Sequence, residues 1–131
     1  MATDPVAYIS YAEAVLVHIE LMRQLGETRY GVFDRSLIES SLTRPRQAAA
    51  YGQADIHAQA ASLLFGFIKN HPWVGGNKRT ATALTSIFLR RNGYKRTAPV
   101  ADIIDLVYDI EAGRIDQGGI AIWLCDRTAK N

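Results

Sequence analysis

The sequence predicts an all-α fold of about six helices with at most a minor β-hairpin flap, because apolar residues recur at helical spacing in segment after segment. Two further observations agree. Helix-starting residues stand at Ser10, Asp34, Asp55 and Asp116, and Pro72 and the pair Asn92-Gly93 punctuate the intervals between apolar stretches. With 131 residues the chain has enough material for one core and not for two, so a single domain over residues 1–131 is expected.

SYAE at Ser10 to Glu13 has the capping-box spacing, in which the serine accepts from the third helical amide and the glutamate reaches back. The helix it opens should run to about Gly26 and bury Val15, Leu16, Ile19 and Met22. A short helix starting near Asp34 turns Leu37, Ile38 and Leu42 inward, with Pro45 as its bound. Between Asp55 and Asn70 the broad face of Ile56, Ala60, Leu63, Leu64, Phe67 and Ile68 marks the strongest core helix. His71 precedes Pro72, and a residue before proline is disfavoured in the α region, so that helix should stop there.

A loop over Pro72 to Gly76 leads into a helix from about Asn77 to Asn92, with Ala81, Leu84, Phe88 and Leu89 on one face. Gly93 accepts the left-handed conformation that ends it. Tyr94 to Thr97 can form an edge strand. Pro99 suits a first helical position, and Val100, Ile103, Ile104 and Val107 carry the pattern to Gly113. Asp116 opens a last helix bearing Ile120, Trp123 and Leu124.

Composition narrows the function. Hydrophobic residues make up 48% and charged ones 21%, which is ordinary globular usage. The net charge of +2, from 15 basic and 13 acidic residues, is too even for binding nucleic acid or an anionic membrane by charge alone. Any phosphate chemistry must be local. Cys125 has no partner for an internal disulfide, and its place beside Trp123 and Leu124 predicts a buried thiol in a reducing compartment. MATDPVAYIS lacks a basic leader and no window approaches about 18 uninterrupted apolar residues, so a cytoplasmic protein is expected.

The chemistry concentrates in HPWVGGNKRTAT, His71 to Thr82. A helix beginning near Asn77 presents free amides and the positive end of its dipole to the two glycines before it. Gly75 and Gly76 let the backbone approach a pyrophosphate, Lys78 and Arg79 add charge, and His71 can accept a proton near neutral pH. By themselves these residues also suit a turn with His71 ending a helix, Trp73 packed on the core and two solvated cations. A Walker A loop is a weak rival, since Lys78 follows asparagine and precedes arginine and no strong strand pattern comes before it. His18 and His57 lack a second ligand three or four residues away and are expected to be structural.

HPWVGGNKRTA resembles the signature HPFxDGNKRTA of the Fic/Doc superfamily, and within it the death-on-curing (Doc-like) toxins of type II toxin-antitoxin systems. The resemblance extends to YISYAEAVLVH, DRSLIESSLTRPRQ, AASLLFGFIKNHP and FLRRNGY, covering most of residues 8–124. It implies a Fic/Doc-type helical bundle and a transferase that moves phosphate from ATP to a hydroxyl of a translation protein, elongation factor Tu being the family's best-known target. His71 matches the catalytic base, Gly76 and Asn77 the anion-binding turn, and Lys78 and Arg79 the basic pair of the Doc-like branch. Trp73 replaces the usual phenylalanine, and Thr82 stands where AMP-transferring relatives carry a second arginine. The region of Tyr51, Gly52 and Gln53 corresponds to a flap that aligns the target.

One departure matters most. The family's acidic residue, which helps hold magnesium on the nucleotide, aligns with Gly75, so no protein ligand for Mg2+ is supplied there. A slowed enzyme, an impaired binding protein and a nucleotidyl transferase therefore stand as three readings. None of the glutamates at 13, 20, 27, 39 and 111 has Ser or Thr four places earlier, as the inhibitory helix of many Fic proteins requires. The resemblance implies instead a separate antitoxin whose C-terminal segment folds onto the toxin, with surface positions such as Val17 or Tyr51 available to a groove.

Overall fold

The computed structural model describes residues 5–131. Its elements in chain order are α1 (Tyr11–Gln24), α2 (Arg35–Gly52), α3 (Ile56–Asn70), α4 (Asn77–Arg91), β1 (Tyr94–Arg96), α5 (Val100–Glu111), α6 (Gln117–Asp126) and β2 (Thr128–Lys130). The all-α expectation holds. The β content is not a hairpin, however: β1 and β2 pair antiparallel, Tyr94 opposite Lys130 and Arg96 opposite Thr128, across the whole α5–α6 segment. Three residues, Thr-Ala-Lys, carry no alternation from which β2 could be read.

Helix α3 is the centre of the fold. Leu63, Leu64, Phe67 and Ile68 are buried together with the small residues Ala60, Ala61 and Gly66, and α2, α4, α5 and α6 all pack against this one helix. An apolar helix buried on most of its circumference gains its stability from tertiary packing rather than from propensity. Truncating Phe67, which has no exposed surface, would cost about 3 to 5 kcal/mol.

Four helices open on a side-chain cap. Ser10, Asp34, Asp55 and Asp116 each accept from a backbone amide three residues on, and Ser10 and Glu13 complete the capping box. Glu13 also binds Arg91, whose hydrogen bond holds its carboxyl below the usual carboxylate range and ties the start of α1 to the end of α4.

Several sequence expectations are corrected. Helix α1 buries Ala14, His18 and Met22, whereas Leu16 is 67% exposed. A buried histidine is invisible to a count of apolar positions. Helix α2 does not end at Pro45 but runs through it to Gly52, with Pro45 buried. The lost backbone bond is offset by packing on α3, where Arg44 donates to the Ser62 carbonyl (3.2 Å) and caps the Phe65 ring.

In α5 the inward face is Ile103, Leu106, Val107 and Ile110, while Val100 and Ile104 face outward, and Pro99 is the residue before the helix rather than its first. Cys125 is exposed, one residue round the helix from buried Leu124. Tyr51, Gly52 and Gln53 form no flap. They are the end of α2, with Gln53 in the left-handed conformation that stops it.

Candidate functional site

The turn between α3 and α4 is built from the inside outward. Trp73 is buried, its indole lying parallel to the imidazole of His18 at 4.1 Å between ring centroids and, more distantly, to Phe67 at 6.3 Å. Asn77 closes the turn. Its side-chain oxygen accepts from the Trp73 N–H (2.9 Å) and its side-chain amide donates to the Trp73 carbonyl (3.0 Å), so both ends of one amide are used on one residue. The side chain of Asn77 therefore shapes the loop, leaving its backbone N–H at the opening of α4.

His18 holds this assembly from below. The Gly31 N–H donates to its Nε2 (2.9 Å), which fixes Nε2 as the lone-pair nitrogen and leaves Nδ1 to donate to Thr80 Oγ1 (2.8 Å). Burial pushes the imidazole down to about 4, so it is neutral at physiological pH. The structural role expected of His18 is what the structure shows. His57 is likewise bonded within the fold, to Thr128 Oγ1 (2.7 Å).

The segment that lies along the loop is Gly31 to Phe33. Val32 pairs antiparallel with Trp73, Val74 N–H donates to the Gly31 carbonyl (2.9 Å), and Phe33 N–H donates to the Pro72 carbonyl (3.0 Å). An aromatic and β-branched Tyr-Gly-Val-Phe run ahead of Asp34 was the available sequence signal.

Helix α4 opens on Gly76 at φ 68°, without a side-chain cap, and its first backbone bond to the preceding turn is Thr80 N–H to the Gly76 carbonyl. The amides of the first turn thus face outward with the positive end of the helix dipole. A side chain at Gly76 would run into Met22 of α1. Around this opening lies a pocket of about 410 Å³ lined by His71, Gly75, Gly76, Asn77, Lys78 and Arg79, joined by Met22, Glu27, Arg29 and Val74. All the residues that the motif nominates meet here.

His71 ends α3 in the left-handed region, φ 45°, rather than in the extended conformation usual before proline. That geometry leaves the imidazole about half exposed at the rim, with Nε2 3.5 Å from Glu111 Oε2. The same carboxylate oxygen lies 3.1 Å from Lys78 Nζ, and Lys78 also sits over the Tyr108 ring at 5.4 Å. Glu111, forty positions from His71 in sequence, carried no local signal.

The motif position at which the resemblance places a magnesium-binding carboxylate supplies none in this chain. A Cβ at Gly75 would stand 2.5 Å from the Arg29 carbonyl oxygen, so the position that supplies the family's carboxylate has no room for a side chain. Of the carboxylates near the loop, Glu27 lines the pocket and Glu111 is engaged with Lys78 and His71.

The sequence over residues 8–89 matches the Fic/DOC family. The chain belongs to that family. It is also 36% identical over 95 residues to Toxin Doc of Mycolicibacterium smegmatis, an alignment covering 69% of this chain and 72% of that protein. The family match contains α1 to most of α4 and the entire motif loop. No helix among the described residues is long and apolar enough to cross a membrane.

Proposed function

We propose that this member of the Fic/DOC family is a Doc-like toxin that transfers the terminal phosphate of ATP to a hydroxyl group of a translation protein, elongation factor Tu being the first candidate. The observation that carries the reading is the convergence of His71, the open start of α4 and the cations Lys78 and Arg79 on one pocket. The phosphates would lie against the α4 amides, with Lys78 and Arg79 bearing the charge of the leaving and transferred groups. His71 takes the proton from the target hydroxyl as its oxygen attacks the γ phosphorus. The bond from that phosphorus to the β–γ bridging oxygen breaks, ADP departs, and the imidazolium returns its proton to solvent. No step is assigned to magnesium.

Two partners follow from the same reading. The target hydroxyl would be aligned along the exposed Val32 and Phe33, beside the loop. A cognate antitoxin would place an apolar segment, expected to be C-terminal, in the groove of about 480 Å³ between α4 and α5, where Val100, Ile104 and Tyr108 are exposed and Lys78, Arg79 and Arg96 supply charge. Ile104→Glu should then escape neutralisation while remaining toxic, and retained neutralisation would exclude that groove.

The test of the function is transfer by wild-type and His71→Ala protein to purified elongation factor Tu. Loss of transfer in His71→Ala with an unchanged melting curve supports it, and equal transfer by both removes His71 as the base. A second reading, an impaired family member that binds partners without catalysis, is favoured by the closed position at Gly75. Nucleotide binding without turnover on any translation factor would select it.

A further inference from the structure

We propose that Arg29, which stands outside the motif, is a second anion grip of the pocket, so that the site selects ligands carrying at least two linked phosphates. The proposal rests on the reading of the pocket as a phosphate site. Arg29 belongs to the connection between α1 and α2 and lines the pocket together with Lys78 and Arg79. Its backbone passes directly against the loop: a Cβ at Gly75 would stand 2.5 Å from the Arg29 carbonyl oxygen and 3.8 Å from the Arg29 Cβ. The guanidinium is therefore rooted on the Gly75 side of the opening, whereas Lys78 and Arg79 rise from the first turn of α4.

The backbone that carries Arg29 is held to the motif loop. Two residues on, the Gly31 N–H donates to buried His18 (2.9 Å), the Gly31 carbonyl accepts from Val74 N–H (2.9 Å), and Val32 pairs with Trp73. The side chain itself is exposed and enters no ion pair among the described residues. Its planar fork is thus free to bind phosphate oxygens. The cations Arg29, Lys78 and Arg79 outnumber the one acid that lines the pocket, Glu27. A phosphate set on the α4 amides meets Arg79 and Lys78, and a second phosphate linked to it extends toward Arg29. A single phosphate engages only the α4 side.

Calorimetric titration with orthophosphate, pyrophosphate and ATP, in EDTA and again with magnesium, tests the proposal on wild-type, Arg29→Gln, Arg29→Lys and Arg79→Gln. Wild-type protein should prefer pyrophosphate to orthophosphate. Arg29→Gln, with an unchanged melting curve, should bind pyrophosphate and ATP about three- to tenfold more weakly while orthophosphate binding stays the same, and the loss should shrink as salt is raised. Arg29→Lys, which keeps the charge without the fork, should recover part of the loss, and Arg79→Gln should weaken all three ligands. Equal pyrophosphate binding by wild-type and Arg29→Gln, or an equal loss for orthophosphate, overturns the second grip and leaves the phosphate reading standing. Absence of binding of all three ligands by wild-type protein, in both conditions, overturns the phosphate reading and the second grip together.

Discussion

The imidazole of His18 lies on the indole of Trp73, 4.1 Å between centroids and inclined by 14°, with no exposed surface of its own. One ring face supports the aromatic anchor of the motif loop, and one nitrogen receives the Gly31 N–H that starts the segment beside it. A residue with no chemistry to perform thus sets the height and tilt of the turn that carries His71.

The pH dependence of folding follows from that burial. His18 titrates near 4 in the folded protein against 6.5 for an ordinary histidine, so between those values the unfolded chain binds more protons. Its contribution is complete above about 6.5, is lost progressively as pH falls, and is gone below about 4, with an upper bound of ~3 kcal/mol. Denaturant unfolding across pH 4 to 7 should show wild-type losing stability that a His18→Gln variant, less stable at neutral pH, does not lose. Parallel pH profiles for the two proteins would contradict this.

Asn77 should behave as a loop-forming residue. Asn77→Ala leaves the Trp73 N–H and carbonyl without their side-chain partner, at a cost of about 1 to 3 kcal/mol. Hydrogen exchange should quicken at Trp73 and its neighbours while the centre of α3 stays protected. Unchanged exchange at Trp73 would show that the two bonds are dispensable.

Restoring the family's acid at Gly75 is expected to fail. The backbone at Gly75 is not left-handed, so conformation alone would admit aspartate, but a Cβ meets the Arg29 carbonyl oxygen. Gly75→Asp and Gly75→Ala should both destabilise the protein, by about 1 to 3 kcal/mol, since the collision is common to both. Unfolding curves with a magnesium titration of ATP affinity check it. An unshifted melting temperature together with tighter magnesium-dependent binding in Gly75→Asp alone would show that Arg29 yields.

What could be read from the sequence was what local chemistry determines. Caps at Ser10, Asp34, Asp55 and Asp116, the face of α3 and the order of the motif loop each depend on residues a few positions apart. What escaped depends on distant neighbours. Pro45 is tolerated because α3 packs on it, Leu16 is outward because His18 takes the inward place, and Gly75 is closed by a carbonyl from the α1–α2 connection. Glu111 reaches the site through the packing of α5, forty positions from His71 in sequence.

Phosphate transfer is tested most directly by the origin of the label. Attack by the target hydroxyl requires a near-linear approach at about 3 to 3.5 Å, so only the phosphorus held against His71 can be transferred. Thr82 stands where the resemblance places a second arginine in nucleotidyl-transferring relatives, and its hydroxyl donates back to the Lys78 carbonyl (3.0 Å). Elongation factor Tu incubated with the protein and ATP labelled at either the γ or the α position should acquire label from γ alone, with the mass gain of one phosphate, and none with His71→Ala. Label arriving from α-labelled ATP, with the mass of a nucleotide, would contradict phosphate transfer and assign the chain to the nucleotidyl-transferring branch.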